Sequence, residues 1–211
     1  RRVEWIARNL PWLRKLREDA FARFAEVGFP TTRDEDWRFT NITPITRTQF
    51  RLPGNALVQL PPAELKSWNI EGSAARLVFV NGRYAPELSR IDALPKGVAV
   101  SSLREQIEGN SDQISKQFGR FADTQRDAFV ALNTAFLLDG AVVMLPRGAA
   151  VELPVHLLYL SSGAADGAAP APVSYPRNLV VAGEGSQLTL VETYAGAGAY
   201  LTCGVTELVA G

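Results

Sequence analysis

The sequence predicts an α+β chain, a helical N-terminal region leading into an all-β body. Three observations carry this. Apolar residues recur near helical spacing between residues 9 and 27 and again between 124 and 138. After Gly140 the pattern changes to short apolar and β-branched runs separated by Gly or Pro. With 46% hydrophobic and 21% charged residues, the 211-residue chain has enough apolar surface for a sizeable core, so disorder is excluded over most of its length.

Each element follows from local signals. Over 9–27, Leu10, Leu13, Ala20, Phe21, Phe24 and Val27 form one stripe. Asn9 is positioned to cap it, Pro11 fits a first turn, and Gly28 with Pro30 stops it. A short helix over 1–8 is expected to precede it. In Thr31–Thr40, Thr32 and Glu35 have capping-box spacing and predict a helical turn. Residues 41–75 read as Pro-rich and irregular, with a short helix at 63–68. A strand over 76–80 enters the hairpin turn Asn81-Gly82 and returns through Arg83-Tyr84. A further strand is expected at 97–101, and helices at 102–108, 111–121 and 124–138. Thr124 or Asp127 would cap the last, Phe129, Leu132 and Phe136 would form its stripe, and Asp139-Gly140 would end it.

Beyond Gly140, strands are predicted over 141–145, 151–153, 155–160, 178–182, 187–192 and 200–208. Gly183–Ser186 reads as a tight turn and 161–172 as a flexible loop. Several runs are apolar on both faces, which favours strands buried on more than one side. Periodicity alone leaves sandwich, barrel and solenoid open. A division at residue 140 is expected, with 1–140 as the N-terminal α+β domain and 141–211 as the start of the β core. A body that stops straight after a strand exposes an edge, so either the chain continues or the last strand pairs with another molecule.

Composition also narrows function. Lys+Arg and Asp+Glu are 22 each, without the basic excess of a nucleic-acid binder. The local cluster Arg14, Lys15 and Arg17 lies among Glu18 and Asp19 and reads as a solvated helix face. One cysteine permits no internal disulfide and fits a reducing compartment. No apolar run approaches a membrane span and no signal peptide is visible. A cytoplasmic protein is expected. The sequon Asn41-Ile42-Thr43 matters only in a secreted chain.

No catalytic, cofactor-binding or metal-binding residue is assigned. There is no Walker loop, and neither Gly183-Glu184-Gly185 nor Gly196-Ala197-Gly198 continues into a dinucleotide fingerprint. One His and one Cys cannot complete a zinc site. His156 sits among apolar strand residues and Cys203 in another strand, so both read as structural. Asp34, Glu35 and Asp36 are consecutive and point in different directions on a helical turn, so they cannot converge on one ion unaided.

Two stretches carry a resemblance. Gly28–Thr40 holds the acidic-Trp-Arg segment Asp34-Glu35-Asp36-Trp37-Arg38. Leu132–Phe136, Asp139-Gly140, Pro146–Gly148 and Pro154–Leu157 follow in order, with Val205–Leu208 as a core strand. These segments resemble the SufB/SufD family of iron–sulfur cluster assembly scaffolds, and the acidic-Trp-Arg segment favours the SufD branch. The resemblance implies a helical N-terminal domain followed by the first turns of a right-handed parallel β-helix. It implies a non-catalytic role in the SUF system, supporting cluster assembly and iron acquisition. The implied partners are a SufB-like paralogue, through the β-helix, and a SufC-like ATPase, through C-terminal helices. Nucleic acid and membrane are not among them, and self-association through the exposed β-helix end is expected. No cofactor is expected in residues 1–211; the cluster would be handled by the assembled complex. The alternatives are a β-solenoid enzyme acting on polysaccharide and a generic β-solenoid adaptor.

Overall fold

Residues 10–54, 67–92, 94–163 and 170–211 are described by a computed structural model of the chain. The short helix expected over 1–8, the Asn9 cap, most of the 63–68 helix and the middle of the 161–172 loop lie outside these residues.

Helix α1 spans Pro11–Val27, with Leu10 at the cap position and Pro11 at the first turn. Leu10 has no side chain that can cap, and Pro11 removes one of the amides that would need capping. Gly28 ends the helix at φ 66°, its N–H bonded to the Phe24 carbonyl. A 3₁₀ turn at Glu35–Trp37 follows. The turn-stabilising pair lies one residue earlier than the predicted Thr32 and Glu35. The Asp34 carboxylate accepts the Thr31 backbone N–H at 2.7 Å and its hydroxyl at 3.1 Å.

Helix α2 (Thr43–Arg47) and the two-residue strand β1 (Phe50–Arg51) interrupt the stretch expected to be irregular. Asn41 of the sequon accepts the Thr43 N–H at 3.0 Å and so starts α2. Strand β2 (Ala75–Val80) turns through Asn81 and Gly82, both at positive φ, into β3 (Arg83–Tyr84). That is the conformation an Asn-Gly hairpin requires. Strand β4 (Arg90–Ile91) also pairs with β2.

Strand β5 (Ala99–Ser102) runs directly into helix α3 (Leu103–Ser115). Ser102 and Glu105 form a reciprocal capping box. The two helices expected here are one element with a kink at Asn110. Helix α4 (Ala128–Phe136) starts later than expected because Asp127 caps it, accepting the Phe129 and Val130 amides.

The second part contains β6 (Ala141–Leu145), β7 (Val155–Ser162), β8 (Ala171–Ser174), β9 (Arg177–Ala182), β10 (Leu190–Ala197), β11 (Leu201–Thr202) and β12 (Val205–Ala210). The strand expected at 151–153 does not form; only an isolated bridge joins Ala150 to Gln187. Both ends of the expected loop at 161–172 are strand. The run over 200–208 is broken at Cys203-Gly204, where the chain turns a corner.

Among the described residues these strands build three sheets. The first is ordered β10-β7-β2-β3 with β4 on β2, the second β12-β9-β6-β5, and the third β1-β8-β11. From β6 onward the chain visits the second, first and third sheets in turn, twice, and ends in the second. Each new strand lies parallel to the one from the previous turn. The result is a three-faced coil of stacked parallel strands.

Alternation along each strand divides the inside of the coil from its outside. Inward ladders run Leu77–Leu157–Glu192 and Phe79–Tyr159–Tyr194 on the first sheet, and Val143–Val180–Leu208 on the second. The inward residues of the first turns form the main core. The outward face of the second sheet, including Val142 and Leu179, is covered by Leu13 of α1, by Leu103, Ile107 and Ile114 of α3, and by Phe118. Strands therefore bury both faces, which explains the weak alternation of the sequence. The core runs continuously across residue 140, since β1, β2 and β5 each pair with a strand of the coil.

Gly140 fits this packing closely. A Cβ there would lie 1.9 Å from the Arg177 carbonyl oxygen. The neighbouring Asp139 carboxylate accepts amides from Tyr84, Arg104 and Gly140, tying β3, α3 and β6 together. Burial pushes its pKa up to about 6, against the opposing pull of those three bonds. We predict that Gly140→Ala destabilises the chain by about 3 kcal/mol or more, because backbone must move to admit a methyl group. A urea midpoint equal to the parent's would contradict this.

Candidate functional site

An open cleft of about 740 Å³ lies where the N-terminal segments meet the last strand. One wall is the end of α1 and the acidic-Trp-Arg segment, with Arg23, Phe29 and Asp34–Trp37. The other is the 121–128 loop, and Val205 and Thr206 of β12 also line it. Aromatic contacts hold the walls. Trp37 packs on Phe129 with ring centroids 5.1 Å apart, and Phe29 meets both Phe24 and Phe129. This is what Trp37 contributes: it docks the acidic segment onto α4.

Beneath the cleft lies a buried polar cluster. Arg177 at the start of β9 and Glu207 in β12 are 0% and 1% exposed. The Glu207 carboxylate accepts Arg177 Nη2 at 2.7 Å and Nε at 3.1 Å. It also accepts the amides of Gly119 and Phe121, at 2.9 and 3.1 Å, and so shapes the loop leading into the cleft wall. Arg177 Nη1 donates to Asn133 Oδ1 and Thr134 Oγ1 of α4, and the guanidinium lies 5.2 Å from the Phe118 ring centroid. Asn133 donates onward to the Pro176 and Cys203 carbonyls. Burial lowers the Arg177 pKa while Glu207 raises it; the ion pair is the state that satisfies both groups.

The carboxylates around the cleft are largely committed to backbone. Asp34 serves Thr31, Asp123 accepts the Gln125 and Arg126 amides, and Asp127 caps α4. The Thr31 bonds hold the Asp34 carboxyl below its ordinary value. Among the described residues no group of three His, Cys, Asp or Glu side chains is placed to hold a metal ion.

The residues singled out in the sequence are not brought together. His156 is buried in β7, its Nε2 2.9 Å from Thr193 Oγ1; burial, and then Arg76, push its pKa down. Cys203 lies between β11 and β12 in a different cluster, with Leu132, Val173 and Tyr175. Burial pushes its thiol up to about 12, so it is not a thiolate at neutral pH. Lys15 pairs with Asp19 and Arg14 with Glu18 on the solvated face of α1, whereas Arg17 turns inward to the Ala135 carbonyl. Among the described residues no helix is long and apolar enough to cross a membrane.

The family model described as the SufBD protein N-terminal region matches residues 3–157, through α1, the acidic segment, α4 and the first coil strands. The chain belongs to the SufBD family. Within it the chain is SufD-like. It is 26% identical to the iron–sulfur cluster assembly protein SufD of Escherichia coli over 169 residues, covering 80% of this chain and 36% of that one. SufD of Bacillus subtilis is 26% identical over 188 residues, covering 87% and 41%. An iron–sulfur cluster assembly SufBD family protein of Synechocystis is 31% identical over 179 residues, covering 84% and 38%. The chain thus spans about two fifths of the length of these curated relatives.

The buried pair yields a test in this SufBD chain. Arg177→Met or Glu207→Leu alone strands a buried charge and costs about 3–5 kcal/mol. The double variant strands neither and costs much less than the two singles together. Urea unfolding of the four proteins measures the coupling; additive losses would contradict a direct tie.

Proposed function

We propose that this SufD-like chain is part of a non-catalytic scaffold subunit of a cytoplasmic SUF iron–sulfur cluster assembly complex. It acts with a SufB-like paralogue and a SufC-like ATPase. The observation that carries the reading is the family match over residues 3–157, combined with a coil whose strands stack in parallel turn upon turn. In this reading the coil is the beginning of a right-handed parallel β-helix. That hand is supported by the strong preference of parallel crossovers for right-handed connection. Residues 1–140 form the N-terminal domain, which lends strands to the start of the coil, and 141–211 form the first turns of the β-helix core.

A scaffold role agrees with what the polar side chains do. Glu207, Asp139, Asp127 and Asn133 all hold backbone in place. The iron–sulfur cluster is cargo of the assembled complex, and no residue of 1–211 is assigned as its ligand.

The full-length protein is expected to co-purify with SufB-like and SufC-like proteins of the same organism under anaerobic, reducing conditions. Recovery of the SufD-like protein without either partner, from cells producing all three, would overturn the reading.

A further inference from the structure

The inward ladders change character at the last turn. On the first sheet Leu77 and Leu157 are fully buried, yet the next position inward is Glu192. On the second sheet the inward residues of the later turns include Asn178 and, opposite it, Thr206. These converge. The Glu192 carboxylate accepts Asn178 Nδ2 at 3.1 Å, Thr206 Oγ1 at 2.5 Å and the Tyr194 hydroxyl at 2.6 Å. Asn178 in turn accepts the buried Tyr159 hydroxyl. All three donors to Glu192 are neutral.

A carboxylate facing the bore of a closing coil, with neutral donors alone, is poorly compensated once the next turn removes water. The same molecule meets this problem at Glu207 by placing Arg177 against it, buried. Other inward groups of the last turn are also uncovered: Tyr194 is 44% exposed although it continues the stack of Phe79 and Tyr159 at 4.9 Å, and Leu208 is 61% exposed although it continues Val143 and Val180. Among the described residues, strands β10, β11 and β12 each end their sheet.

We propose that the strand stacking in parallel on β10 presents a lysine or arginine inward over Glu192 and an aromatic ring over Tyr194, and that this strand belongs to the same polypeptide, after Gly211. The inference rests on the reading of the coil as a continuing β-helix. Two observations favour the chain itself as the occupant. Successive turns return to the same sheet after 28 to 37 residues, as Asn178–Thr206 and Ala141–Asn178 show. The relatives extend well beyond the matched region, which is 36% to 41% of their length in the three compared. The cationic residue follows from the charge of Glu192 and the neutrality of its present donors.

The test is made in the full-length polypeptide. Each Lys and Arg in the stretch of about forty residues after 211 is changed to Met, alone and combined with E192Q, and urea midpoints are measured. One basic residue is expected to couple: its single variant and E192Q each lower the midpoint, and the double variant falls no further than the worse single. Where E192Q does not fold, the charge swap E192K with that basic residue changed to Glu is expected to restore folding. The proposal is overturned by additivity at every pair, by E192Q raising the midpoint, by failure of every swap, or by coupling that depends on protein concentration, which would put a second molecule on the end. The readout needs no partner protein. Loss of co-purification would leave it intact, and additivity would leave co-purification intact.

Discussion

A guanidinium with no exposed surface must find all of its partners inside the protein, and Arg177 finds them on both layers. It reaches Glu207 across the second sheet, Asn133 and Thr134 on α4, and the ring of Phe118. Glu207 spends its remaining acceptor capacity on the amides that shape residues 119–122. If this pair is displaced, helix α4, the loop after α3 and two turns of the coil lose their common fixed point. Burying an ion pair is a poor way to gain stability outright. Its value here lies in specifying one register between the helical layer and the coil, because a shifted β12 would strand a charge.

The coil supplies the surface that the pair secures. Parallel strands stacked turn on turn place corresponding positions over one another, so like side chains can recur along a ladder. Phe79, Tyr159 and Tyr194 stack at 4.9 Å, close to the spacing between neighbouring strands. The outward ladder Val142–Leu179 is as apolar as the inward one because α1 and α3 cover it. Between the layers, Glu207, Asp139, Asp127 and Asn133 spend their polar atoms on backbone.

Much of this was legible in the sequence where a signal is local. Asn81-Gly82 demanded positive φ at two successive positions and obtained it. The change of pattern at Gly140 coincides with the start of β6, the first strand of the repeated coil. The acidic-Trp-Arg segment and the Leu132–Phe136 run identified the family. What was hidden depended on distant partners. Strands β1 and β8 are short and Pro-flanked, and exist because they pair with each other across more than a hundred residues. The 151–153 run, Val-Glu-Leu, alternates as a strand would, but it lies at a corner of the coil, with only Ala150 bridged to Gln187. The pair that steadies the turn, Thr31 and Asp34, lies one residue before the Thr32–Glu35 spacing, because Thr31-Thr32 offers two equivalent hydroxyls and Asp34-Glu35 two carboxylates. Glu207 carried one usable signal, a lone acid inside an apolar strand. Its partner could not be named, since Arg177 lies a full coil turn earlier.

With Arg177 bonded to both α4 and β12, the helical layer and the coil should unfold as one cooperative structure. Native-state hydrogen exchange measures this most directly. The amides of α4 and of residues 119–122 are predicted to open with the same free energy as those of β6 and β9. If those helical amides exchange through an opening several kcal/mol cheaper, with β6 and β9 still protected, the helices are a separable layer and Arg177 does not join them to the coil.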